Sequence, residues 1–236
     1  MNNILEEIIN KKDLYSKEVI NKNYKYYIKT KNELEKLNIE QYSVCDLLKI
    51  ITDNKYSKYI RIYKELFNDY KTELLYKSYG HGINHNIRVT LYAVIISIYE
   101  EISIDDFKLV IEACKYHDIG RINDLLDEKH GLRSAEMIDF LKDKYAEEEM
   151  NILRTIITCH SLNDKEHDKA AKKNGVKNIK RSKKLLDILK DSDALDRVRL
   201  NYPLIRIDYL RTDISKKIVL FSFLTYFNYE KILNIK

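Results

Sequence analysis

The sequence predicts an all-α fold. Apolar residues recur at helical spacing along nearly the whole chain, no stretch sustains the alternation of a half-buried strand, and five Gly and one Pro among 236 residues leave few turn punctuators. A hydrophobic content of 44% and a charged content of 33% are those of an ordinary globular protein. Length favours one compact unit: a helical core over residues 78–236 with residues 1–77 as a helical extension that packs on it or caps it.

Taken in order, the periodicity places helices at 3–10, 14–37, 42–52, 55–77, 84–101, 105–118, 130–144, 147–161, 179–199 and 215–232. The first 80 residues are rich in Lys, Glu, Asn and Tyr and contain no histidine, so they read as packing support. Two polar stretches interrupt the pattern, "IGRINDLLDEKHG" after Asp118 and "HSLNDKEHDKAAKKNGVKN" after Cys159. Both adjoin histidines, and loops on a rigid scaffold are where function concentrates.

Several function classes are disfavoured by composition. The net charge of +5 comes from 42 basic and 37 acidic residues spread along the chain, and the dense basic run Lys169–Lys184 reads as a solvated loop and helix start, so nucleic acid is not the expected partner. Acidic residues in "MNNILEEIINKKD" interrupt any secretory signal, and the run Val89–Tyr99 is about half the length of a membrane span. Cys45, Cys114 and Cys159 are odd in number and fall in helical, mostly apolar settings, which suggests reduced core thiols in a cytoplasmic protein without membrane contact.

The histidines carry the functional signal. His117 follows Cys114, Ala113 and Val110 at offsets of three, four and seven, and His160 follows Ile157, Ile156 and Leu153 at the same offsets, so both sit on core-facing stripes. His85 precedes Val89, Ala93 and Ile96, and His130 precedes Met137, Ile138 and Leu141, which turns both inward at helix starts. Asp193 follows Leu189 and Leu186 and falls on the apolar stripe, whereas Asp187 and Asp191 fall off it; Asp118 is drawn inward beside His117. A buried carboxylate is costly unless it meets a cation. One inward histidine is ordinarily a hydrogen-bonded core residue, but four of them with two aspartates suit a divalent metal bound by imidazole nitrogen and carboxylate oxygen.

"GHGINHNIRV" with His85, "YHDIGR" with His117 and Asp118, and "DSDALDRVR" with Asp193 together resemble the HD superfamily of metal-dependent phosphohydrolases. The resemblance covers about residues 78–213, with 32 residues from His85 to His117 and 75 from Asp118 to Asp193. It implies that His85, His117, Asp118 and Asp193 bind a metal, and that His130 and His160 complete a second site bridged by Asp118 or else contact phosphate. One or two divalent ions are implied (Mn, Fe, Ni, Co, Zn or Mg), with a small phosphorylated substrate, a nucleotide first among them, and a homo-oligomer remains open.

Arg88 and Arg121 are the candidates for holding that phosphate, since a guanidinium fork matches phosphate oxygens; Arg121 stands where many relatives have lysine. Arg197, four residues after Asp193, is a further candidate, and His81 sits at a glycine-flanked bend from which it would reach substrate. His167, in "DKEHDKAAKK", is expected to be solvated. Two other readings use the same chain: a di-iron oxygenase on the same ligand set, and a non-catalytic nucleotide-binding module.

Overall fold

The computed structural model describes residues 17–78, 80–200 and 205–226. Its regular elements are all helical, and no strand occurs among the described residues. No helix among them is long and apolar enough to cross a membrane. The expected helix at 3–10 lies outside the described residues, as does the end of the one expected at 215–232.

The helices are α1 (Lys17–Lys36), α2 (Val44–Thr52), α3 (Ser57–Asn68), α4 (Ile83–Tyr99), α5 (Ile104–Tyr116), α6 (His130–Met137), α7 (Glu147–Cys159), α8 (His167–Lys173), α9 (Ile179–Leu195), α10 (Asp213–Lys217) and α11 (Val219–Tyr226). Two compact units divide them, one of residues 58–192 and one of the described residues up to Ser57 with those from Asp193 on. The divisions fall at 57/58 and 192/193 and not at the 77/78 boundary expected from the sequence.

In the unit of residues 58–192, α4 is the central helix. It is apolar nearly all round, and Val89, Tyr92, Ala93, Ile95 and Ile96 are fully buried, as befits a helix without a water-facing side. α5 packs along it, α7 crosses α5, and α6 and α8 lie on α7. Ser103 caps α5 by accepting from Asp106 N, and three glutamates, Glu147 to Glu149, occupy the first turn of α7, where the helix dipole favours negative charge. Each fully buried aliphatic side chain, such as Leu153 or Ile156, contributes about 1.5–3 kcal/mol by leaving water.

The other unit is held by its own contacts. Gln41 joins the two ends of the chain segment by donating to Lys216 O at 2.7 Å and accepting from Leu220 N at 3.0 Å, and the Tyr27 ring meets Phe223 edge-on.

Several boundaries differ from expectation. The helix expected over 55–77 ends at Asn68, and Tyr70 turns to donate to Lys115 O at 2.9 Å. The helix expected over 130–144 ends at Met137, which leaves Met137 43% exposed while Ile138 and Leu141 remain buried. α8 was expected to be loop, and His167, expected in solvent, is fully buried: its Nε2 lies 3.0 Å from Ser182 Oγ and its Nδ1 2.9 Å from Asp168 Oδ1. Asp191 is likewise fully buried, because α9 also buries Ile188, one turn earlier, and so hides a wider face than one stripe. Of the three thiols, Cys114 and Cys159 are in the core, but Cys45 is exposed in the first turn of α2.

Candidate metal centre

Two glycines allow the helix ends to converge. At Gly120, just past the His117–Asp118 doublet, a Cβ would come within 2.4 Å of Ser134 N and 2.6 Å of His130 O, so only glycine lets this turn rest on the start of α6. Gly120 N donates to Ser134 Oγ at 2.8 Å, and Arg133 Nε donates to Gly120 O at 2.8 Å. At Gly131 a Cβ would come within 2.7 Å of Ile157 O and 2.8 Å of Thr158 O, so the start of α6 lies directly on the end of α7. The first contact sets Asp118 beside His130, and the second sets His130 beside His160.

His85 and His117 are fully buried, His130 is 4% exposed, and the side chain of His160 is 2% exposed. Their rings form a continuous chain of edge-to-face contacts, His85 to His117 at 5.2 Å, His117 to His160 at 4.9 Å and His160 to His130 at 4.7 Å between centroids. His117 Nδ1 donates to Cys114 O at 2.9 Å, His160 Nδ1 to Ile157 O at 2.6 Å, and His130 Nδ1 to Asp127 O. A carbonyl oxygen only accepts, so these three Nδ1 atoms carry protons and, in the neutral ring, each Nε2 presents a lone pair.

Two of those lone pairs point at one another, His130 Nε2 lying 2.8 Å from His160 Nε2, and His117 Nε2 is 3.2 Å from His85 Nε2. The facing lone pairs of His130 and His160 repel at that distance unless a cation lies among them. Nitrogens about 2.0–2.1 Å from one ion stand roughly 3 Å apart at adjacent coordination positions, which is the spacing found. His117, Asp118 and His160 offer ligand atoms that all lie within 4.8 Å of one another.

Asp118 is the anion at the centre, 2% exposed. Its Oδ2 is 3.5 Å from His85 Nε2 and 3.6 Å from His117 Nε2; its Oδ1 is 3.1 Å from His130 Nε2, 3.6 Å from His160 Nε2 and 3.0 Å from Arg121 Nε. None of these approaches aligns a hydrogen with Oδ1, which is buried without a hydrogen-bond partner, and Arg121 Nε is left in the same condition. Burial works to raise the Asp118 pKa, but the imidazoles that face it, His117 foremost and then His130, His160 and His85, outweigh burial and hold the carboxyl well below the usual range. An ionised carboxylate with an orphaned oxygen amid converging imidazole nitrogens is a donor set that suits a divalent cation. Burial pushes the Cys159 thiol, next to His160 in the chain, up to about 11.

The surrounding residues fix this core. Asn86, fully buried beside His85, donates in the amide orientation its neighbours require to Cys114 O at 2.8 Å and Lys115 O at 3.2 Å, which ties α4 to the end of α5. Cys114 O therefore accepts from both Asn86 and His117. His81 is 7% exposed, its ring 5.9 Å from that of His85 and its Nδ1 2.8 Å from Asp124 Oδ1. Arg133 forms an ion pair with Asp127, the residue whose carbonyl meets His130. Neither Asn86 nor Arg133 stood out in the sequence; only their placement one residue or one turn from a histidine hints at them.

Among the other expected site residues, Arg121 reaches the centre through its Nε, and Arg88 is 6% exposed one turn along α4 from His85. Asp193 stands in the last turn of α9, after the fully buried Leu186 and Leu189, with its side chain 32% exposed and 3.9 Å from Arg199 Nη1. Arg197, the other candidate there, is exposed, and Arg199 is the arginine beside that carboxylate. No protein-family model matches the chain, and no curated protein or solved structure matches it significantly.

Proposed function

We propose that the chain is a metal-dependent phosphohydrolase of the HD type, cytoplasmic, acting on a small phosphorylated metabolite or nucleotide. The observation that carries this reading is the convergence of four imidazole Nε2 atoms on an ionised, buried carboxylate with an orphaned oxygen. His85, His117, His130, His160 and Asp118 are the proposed ligands from one unit, with Asp193 as the further carboxylate that the HD resemblance supplies. Bound there, one or two divalent ions provide Lewis acidity and a water acidified toward neutral pH.

The rest is the work of the chain. Asp118, held ionised, keeps acceptor capacity to orient the attacking water. Arg121, whose Nε lacks an aligned acceptor, presents its guanidinium to phosphate oxygens, and Arg88 adds a second cation from α4. Elemental analysis of protein purified without added metal, followed by a phosphatase screen with the metal found, tests the reading. One or two equivalents of a transition metal with phosphate release are expected. Failure to bind any metal under any loading would remove the site, and two irons with oxygen consumption but no hydrolysis would transfer the ligands to an oxygenase.

A further inference from the structure

Resting on the hydrolase reading, we infer the substrate class: a single phosphate esterified to an uncharged, largely apolar organic group, with that group held in the cavity at the start of α4. The cavity has a volume of about 530 Å³, within the range that takes a small organic ligand. Leu75, Tyr76 and Ile83 supply its apolar wall, Thr72 and Ser78 supply hydroxyls, and among the described residues Lys77 is the one charged residue lining it. Gly82, which caps α4 one turn before His85, also lines it, so the cavity opens beside the helix end that carries a proposed ligand.

The loop after the His-Asp doublet carries exposed apolar residues of its own. Ile122 is 69% exposed, Leu125 73% and Leu126 95%, while Ile83, on the cavity wall, is 37% exposed. This loop adjoins the cavity segment: Asp124 Oδ1 lies 2.8 Å from His81 Nδ1, and Ser78 Oγ, on the cavity wall, accepts from His81 N at 2.8 Å. It also adjoins the phosphate group's proposed holder, because Arg121 Nη1 donates to Leu125 O at 3.4 Å. Three branched aliphatics exposed together are unfavourable in water, and an apolar group covering them recovers that loss.

Charge limits the number of phosphates. The loop carries Asp124, paired with His81, and Asp127, paired with Arg133. Arg133 is already engaged by Asp127, which leaves Lys77 as the cation of the cavity. A second or third phosphate lying along the loop would face its carboxylates, whereas an aryl or similar uncharged group would not.

The test compares 1-naphthyl phosphate, glycerol phosphate and a nucleoside triphosphate on the metal-loaded full chain, with Ile83→Trp to fill the cavity and Ile83→Ser to strip its wall. Expected is a kcat/KM for naphthyl phosphate at least about tenfold above the other two. Both variants should cut the ratio of the naphthyl phosphate value to the glycerol phosphate value about tenfold, with circular dichroism showing that they fold. Hydrolysis without the preference, or a preference that both variants keep, overturns the cavity assignment and leaves the hydrolase standing. No phosphoester hydrolysis with any metal overturns the hydrolase, and the substrate class with it.

Discussion

His167 and the four histidines around Asp118 are buried almost equally, yet they stand in opposite electrostatic situations. His167 has protein partners at both ring nitrogens: Asp168 can only accept, so Nδ1 carries the proton, and the Ser182 hydroxyl can donate to Nε2. The neutral ring is thereby satisfied and nothing further is called for. His117, His130 and His160 also have their Nδ1 atoms engaged, but each Nε2 meets another imidazole nitrogen or the Asp118 carboxylate. Burial therefore does not mark a ligand. The mark is a second nitrogen that faces another imidazole's lone pair, as in His130 and His160.

The largest effect that would break this contrast is expected at Asp118. Asp118→Ala removes the anion that the imidazoles surround and should lower both bound metal and phosphoester hydrolysis by more than the roughly 10–100-fold that loss of an outer partner costs. Elemental analysis and initial rates, measured on protein shown to be folded by circular dichroism, check it. A variant that kept its metal and its rate would put the cluster in the same class as His167.

A smaller effect is expected one shell out, at Asn86. Its amide shares Cys114 O with His117 Nδ1 and links the helix bearing His85 to the one bearing His117. Asn86→Leu keeps the volume but removes those donors, so metal affinity should fall about 10–100-fold in competition with a chromophoric chelator. A lower melting temperature with unchanged metal affinity would make Asn86 a packing residue only.

How much of this was legible follows from helix length. The inward placement of His117 and His160 could be read from offsets of three, four and seven, and that of His85 from offsets of four, eight and eleven, because α5, α7 and α4 run 13, 13 and 17 residues, long enough for several apolar positions to define a face. α8 has seven residues, and the one internal sign that His167 is buried is Ala171, four residues on, in a stretch dominated by lysines. Asp191 was misread because burial of Leu186, Ile188 and Leu189 spreads around α9, so a single stripe does not describe it. The ion pair of Lys115 and Glu112, 2.8 Å apart and 1% and 0% exposed, could not be foreseen either. Charges three apart on a helix ordinarily face water, and what buries this pair is Leu66, whose carbonyl accepts from Lys115 at 2.7 Å, with Tyr70 and Tyr116 under the ammonium. Such partners come from segments distant in sequence. The convergence of Nε2 atoms is equally remote from periodicity, since it depends on Gly120 and Gly131 drawing helix ends together.

The smallest effect sharpens the contrast from the other side. Ser182→Ala removes the hydroxyl that serves His167 Nε2 and leaves a buried acceptor without a partner, at a cost of about 1–3 kcal/mol. For a chain of this size each kcal/mol lowers the melting temperature by about 2–4 °C, which calorimetry resolves. Metal content should not change, because the ring belongs to the packing of α8 on α9 and has no second nitrogen seeking a cation. If metal binding fell along with stability, His167 would act on the centre through α8 and α7, and a satisfied ring could no longer be taken as the sign of a histidine without a ligand role.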